Sequence, residues 1–206
     1  ATWWKYYHQR AEYFQPTHVL KDGESIRIGQ HDFEIIHTPG HAADGIVLYH
    51  RKEKILISSD SLWQHDMAVH TVRVEGSAAV YNTKKSLEKL TCLEPNLVCP
   101  GHGAAFKDFR GALERSMNRI NGYLTDRKKV GPDVLRKIIV YTVMMNKSVV
   151  ADTFFDRLCG TNWFKETIDF YFNSDYQRKY EEIMEGLLKK DVVKRYGDTF
   201  ITTVRP

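Results

Sequence analysis

The sequence predicts a mixed α/β (α+β) fold followed by a helical extension. Three observations carry this. Short strand-like segments follow one another from Ile26 to Ser59, first with alternating isoleucines at 26 and 28 and then as two short apolar runs. Helix-period segments then alternate with one short apolar strand up to about residue 127. Beyond residue 128 helical patterns dominate, closed by a single tight hairpin. The 206 residues suffice for one large domain or two small ones. The change of character at the Gly131-Pro132 break divides the chain into expected domains 1–127 and 128–206.

The elements follow in order. Trp3, Tyr7, Ala11 and Phe14 recur at helical spacing, which predicts an amphipathic helix over residues 3–14, ended by Pro16. Lys21-Asp22-Gly23-Glu24 reads as a turn between that helix and a strand through Ile26 and Ile28. A second strand carries Phe33 and Ile35 and stops at Thr38-Pro39-Gly40. Residues 45–50 and 54–59 are apolar runs separated by Arg51-Lys52-Glu53, a hairpin pattern. A helix is expected over about 77–91, a buried strand at Leu97-Val98-Cys99, and a longer helix over about 108–127. In the extension, helices are expected over about 132–145, 148–158, 162–172 and 176–190. Val192-Val193, then Tyr196-Gly197-Asp198-Thr199, then Phe200-Ile201 form the terminal hairpin, so the extension reads as a winged-helix-like module.

Composition excludes several classes. At 42% hydrophobic and 27% charged the chain is an ordinary globular protein, and a net charge of +4 by itself predicts no nucleic-acid partner. No stretch approaches the roughly 18 apolar residues of a membrane span. Cys92, Cys99 and Cys159 are odd in number and form no CxxC pair, which fits reduced thiols in a cytoplasmic protein. Residues 1–10 lack the apolar run of a signal peptide.

Three short segments carry chemistry, and each directly follows a strand-like run. They are Thr38-Pro39-Gly40-His41 with Asp44, Ile57-Ser58-Ser59-Asp60, and Cys99-Pro100-Gly101-His102-Gly103. A strand gives a rigid stem, and in the first and third segments a Pro-Gly turn reverses the backbone at little steric cost. The side chain just beyond is then presented at the sheet edge. Two imidazoles and a carboxylate placed in this way suit a zinc-class ion. Taken singly, each has a plainer reading: a surface or turn histidine, or a helix N-cap at Asp60. The combination in three ordered contexts favours the metal.

TPGHAAD, SSD after an apolar strand, and PGHG resemble the third, fourth and fifth signature motifs of the metallo-β-lactamase superfamily. The order matches, with 19 residues from His41 to Asp60 and 42 more to His102. The resemblance covers roughly residues 20–127 and implies an αββα sandwich with metals at one edge. His41 would ligate the first metal, Asp60 would bridge two metals as the catalytic carboxylate, and His102 would ligate the second. Zinc is the implied metal, two per complete site, with iron or manganese as alternatives. The extension, with the helix through Arg115, Arg119 and Ile120, resembles that of lactamase-beta-2-type hydrolases.

The resemblance also exposes departures. The family's HxHxDH motif is absent; the nearest string, His65-Asp66 with His70, has the wrong spacing and follows Asp60. Ser59 stands where the family usually has glycine. Three ligand residues are too few for two metals, and one sheet of the sandwich is largely lacking. The expectation is an N-terminal fragment or partner chain that supplies the rest, and a remaining sheet with an uncovered apolar face. The implied activity of the complete protein is hydrolysis of a small ester, thioester or lactone by a metal-bound hydroxide. Asp44 would orient a ligand or lie at the surface. Trp63 would line a substrate pocket or, more simply, anchor its loop. The rival readings are a nuclease acting on RNA through the basic residues Arg127-Lys128-Lys129 and Arg136-Lys137, and a non-catalytic binding protein.

Overall fold

A computed structural model of the chain describes residues 15–71, 76 and 78–204. The expected helix over residues 3–14 lies outside the described residues. Two compact units divide between Arg127 and Lys128.

The first unit is built on a five-stranded sheet. Its strands are β1 (Ser25–Ile28), β2 (His31–His37), β3 (Ile46–His50), β4 (Ile55–Ser59) and β5 (Leu97–Pro100), in spatial order β1-β2-β3-β4-β5. The first three pairings are antiparallel; β4 and β5 pair in parallel. A parallel pair needs a long crossover. Here the crossover contains α1 (Ala79–Leu90), and α2 (Phe109–Thr125) follows β5. Helix α2 starts at Asp108, whose side chain accepts the Gly111 N–H at 3.0 Å. Arg115 donates to the same carboxylate, and these two bonds hold it below its ordinary range.

The register sorts the sheet's side chains onto two faces. Tyr49 lies opposite Leu56, and Leu56 beside Val98; these three and Val47 are buried. Helices α1 (Leu87, Leu90) and α2 (Ala112, Leu113, Ile120) each bury an apolar stripe of their own. On the other face Ile35 lies opposite Leu48, Leu48 opposite Ile57, and Ile57 beside Cys99. This face is apolar too, with Phe33 and Ile35 buried but Ile28 47% and Ile57 36% exposed. Ile46, Leu48, Ile55 and Leu97 are half-buried. Strands that are apolar on both faces are the pattern of a sheet covered on both sides.

The second unit holds α3 (Val130–Met145), β6 (Val149–Val150), α4 (Ala151–Cys159), α5 (Asn162–Phe172), α6 (Tyr176–Lys189), β7 (Val193–Tyr196) and β8 (Thr199–Thr202). Leu135, Ile139, Phe154, Leu158, Phe164 and Ile168 are its largest fully buried side chains among the described residues. The expected helix over 148–158 starts later, at Ala151. Val149 and Val150 instead pair with Phe200 and Thr199, which turns the expected hairpin into a three-stranded sheet of order β6-β8-β7. Two β-branched residues next to a helix fit a strand edge well, but their partners are fifty residues away and leave no local signal.

Candidate metal centre

The three segments singled out in the sequence converge at one end of the five-stranded sheet. The first begins where β2 ends. Thr38 donates its N–H to the Gly45 carbonyl at 2.8 Å, which closes the turn that carries His41. The Thr38 hydroxyl bonds the Ser61 hydroxyl at 2.7 Å, so the first segment is tied to the second. Gly40 lies so close to α1 that an added Cβ would sit 2.1 Å from Thr83 Oγ1. The Ser86 hydroxyl donates to the Pro39 carbonyl at 2.7 Å and fixes the turn on the helix.

The second segment leaves β4 through an irregularity. The β4–β5 register shifts between Ile57 and Ser59, and Ser59 has φ of +47°. An extra residue with left-handed backbone is how a bulge re-aims a side chain, and here the residue re-aimed is Asp60. Buried Ser58 donates its hydroxyl to the Leu62 carbonyl at 2.7 Å and stiffens the following loop. The third segment is held to the second by the Gly101 N–H, which donates to the Ser59 carbonyl at 2.7 Å. A Cβ at Gly101 would lie 2.5 Å from Asp60 Oδ1, so only glycine lets this turn pass over the carboxylate.

Asp60 stands between the two histidines. Its Oδ2 is 3.9 Å from His41 Nε2, and its Oδ1 is 3.7 Å from His102 Nε2. Both distances exceed a hydrogen bond. Both are shorter than the ~4.1 Å that two zinc–ligand bonds can span when placed in line. His41 Nδ1 donates to the Val69 carbonyl at 2.8 Å, which leaves Nε2 as the bare lone pair turned toward Asp60. A backbone carbonyl that fixes the tautomer in this way is the usual support of a metal-binding imidazole. His41 and Asp60 line a pocket of about 170 Å³ with Ile46, Met67, Ala68 and His70.

The donor set fits a borderline cation at each of two positions, with one imidazole apiece and a shared carboxylate. It does not close either position: among the described residues, no group of three or more His, Cys, Asp or Glu side chains gathers around one point. Of the other residues considered, Asp44 is exposed, and the bond that orients His41 comes from Val69 instead. His65 is exposed, Asp66 pairs with Arg119, and His70 lines the pocket while its Nε2 engages Thr83 at 2.7 Å. Trp63 does not merely fill space: its indole N–H donates to Asp60 Oδ1 at 3.1 Å. Sequence reading did not foresee the Val69 carbonyl or this indole bond. A main-chain acceptor has no side-chain signature; the tryptophan three residues after Asp60 was the only hint.

Comparison with known proteins bears on the family and the fold. The family model described as the metallo-beta-lactamase superfamily matches residues 2–102, ending on His102. The chain belongs to the metallo-beta-lactamase superfamily. An uncharacterized protein of Methanocaldococcus jannaschii is 23% identical over 147 residues, 63% of this chain and 35% of its own length. The acyl-coenzyme A thioesterase MBLAC2 of Bos taurus is 37% identical over 60 residues, 29% of this chain and 22% of its own. The chain thus spans about a third or less of the length of these two relatives. Among solved structures, a metallo-beta-lactamase family protein of Thermus thermophilus superposes with a TM-score of 0.51 at 17% identity. That superposition covers 91% of this chain and 55% of the other, a likeness of fold.

Proposed function

We propose that this chain carries half of a two-metal hydrolase site, acting on a small ester, thioester or lactone, and that the remaining ligands come from a segment or partner chain outside this sequence. The observation that carries it is the division of Asp60: one oxygen faces His41, the other His102, and His41 is already locked with its Nε2 free. His41, Asp60 and His102 are the residues that would hold the cations, with zinc the first choice and iron or manganese tolerated by the same donors. When bound, such a pair supplies hydroxide near neutral pH and polarises a carbonyl oxygen.

The chain's own residues do the rest. Asp60 presents one oxygen to each histidine and would be the ligand common to both positions. His41 keeps one orientation through Val69, so no reorganisation is needed when a cation arrives. The pocket beside them is smaller than a typical ligand cleft, which suits the reacting acyl end of a substrate better than the whole of it. The name of the bovine relative supports a thioester among the candidates. The half-buried apolar sheet face with Leu48 and Ile57 supports a missing layer, as the sandwich reading requires.

The second unit supports a winged-helix-like module, with helices packed on a three-stranded sheet. Its basic residues weigh only weakly toward RNA, because Lys137 and Arg136 share the carboxylate of Asp133, at 2.8 and 3.9 Å, which offsets one of their two charges. No helix among the described residues is long and apolar enough to cross a membrane, and all three cysteines are free, which supports a reducing compartment such as the cytoplasm.

Bound metal and hydrolysis test this together. The protein recovered with its natural partner segment should hold near two equivalents of zinc, iron or manganese by elemental analysis and cleave a short-chain acyl thioester. Asp60→Asn should cut kcat/KM at least about a hundredfold. Less than a tenth of an equivalent in the assembled protein would sink the hydrolase reading and leave a non-catalytic binding protein of the same fold.

A further inference from the structure

We infer that Trp63 is a positioning residue, whose indole N–H keeps the Asp60 carboxylate divided between His41 and His102. The inference rests on the two-metal reading of the site and deepens it. The need is physical. The last torsion of an aspartate is broad and roughly two-fold, so a carboxylate in a loop swivels with little cost. Asp60 is 29% exposed at its side chain, enough for water to compete for both oxygens. A carboxylate that would serve two cation positions does so best when it keeps one orientation toward both histidines.

Three features restrain Oδ1, and of these Trp63 supplies the one hydrogen bond. The Gly101 backbone lies against it, close enough that a Cβ there would be 2.5 Å away. His102 Nε2 stands 3.7 Å off, beyond hydrogen-bond reach. The indole N–H bonds it at 3.1 Å, and an indole can only donate, so this bond has one sense. The ring itself is fixed: it packs edge-on to His102, centroids 5.1 Å apart at 75°. The preceding Leu62 is buried and its carbonyl accepts the Ser58 hydroxyl. Trp63 therefore touches both the carboxylate and the second histidine, and sets their mutual orientation before any cation is present.

Two labelled forms of the full chain test this. With 15N-tryptophan, Asp60→Ala should move the Trp63 indole N–H resonance and speed its exchange with water several-fold. With 13C-labelled histidine imidazoles, zinc chloride should shift His41 and His102 in the wild type, and Trp63→Phe should weaken that response about tenfold while thermal stability stays within a degree or two. Phenylalanine keeps an aromatic ring beside His102 and removes the N–H, so with thermal stability held a purely structural tryptophan would leave zinc affinity nearly unchanged. Unchanged or tighter zinc binding in Trp63→Phe, or an indole resonance indifferent to Asp60→Ala, overturns the inference. Zinc that moves neither histidine in the wild type, either alone or with the partner segment present, sinks the metal reading instead. The indole measurement then still decides whether Trp63 holds Asp60.

Discussion

The two faces of the five-stranded sheet are made of the same kinds of residue and sit in different surroundings. On one, Val47, Tyr49, Leu56 and Val98 are buried. On the other, Leu48, Ile55 and Leu97 are half-buried, while Ile28 and Ile57 are exposed. Composition does not separate them: Leu56 and Ile57 are neighbours of nearly equal hydrophobicity. The difference teaches that β3, β4 and β5 are closed by this chain on one face, whereas the other face, beyond buried Phe33 and Ile35, holds unused capacity for association. It also places the candidate metal site on the well-packed part. His41 and Asp60 hang from strands whose buried side chains are already locked, so the site's geometry does not wait for the second layer.

The comparison breaks or holds on a pair of truncations. Leu56→Ala should cost about 3 kcal/mol in urea unfolding, the range for a buried leucine. Ile57→Ala in the isolated chain should cost less than about 1 kcal/mol, since much of the side chain already meets water. Equal losses would mean that both faces are covered. Adding the missing layer should raise the cost of Ile57→Ala toward that of Leu56→Ala.

A smaller effect sharpens the picture at the edge of the sheet. Asp22 accepts the His37 N–H at 2.6 Å and the Lys89 ammonium at 3.2 Å, and so ties the end of β2 to α1. The His37 N–H, and then Lys89, lower its pKa below the ordinary 3.8. A carboxylate held low in the folded state stabilises above its unfolded pKa, and that contribution is lost as pH falls through the folded value. Asp22→Ala should therefore cost under about 1 kcal/mol at pH 7, the group being half exposed, and progressively less as the pH falls through its lowered folded value. A loss that persists in acid would point to packing instead of charge. The smallest effect belongs to Ser59. Its left-handed backbone strains a residue with a Cβ, so Ser59→Gly should stabilise by roughly 0.5 kcal/mol, relief partly offset by glycine's greater freedom when unfolded. A lower melting temperature in Ser59→Gly would show that the hydroxyl matters more than the backbone.

Much of this fold was legible because its signals are local. Alternation marked β1, short apolar runs marked β3 and β4, and helical spacing placed α1 to α6 within a few residues of their ends. What escaped was set by distant partners. Val149 and Val150 became a strand because β8 lies beside them. The same division runs through the site. His41, Asp60 and His102 could be picked out because each follows a strand, and strand ends converge when strands are neighbours. The distances that divide Asp60, the Val69 carbonyl behind His41 and the indole bond of Trp63 depend on rotamers and loop paths that no spacing encodes.

The parallel pairing of β4 with β5 has a consequence for how the site comes into being. Asp60 and His102 are separated by the whole crossover through α1, and a parallel strand cannot reach its neighbour until that crossover has closed. Closure of such a long loop is entropically costly and belongs late in folding, after the antiparallel meander of β1 to β4 has formed. A chain whose residues up to about 90 are free to fold would already display His41 and Asp60 on formed strands, with the third ligand still unmade. Until β5 docks, a cation meets one imidazole and one carboxylate, which is a poor trap, so the order of chain assembly itself delays metal capture until the sheet is complete.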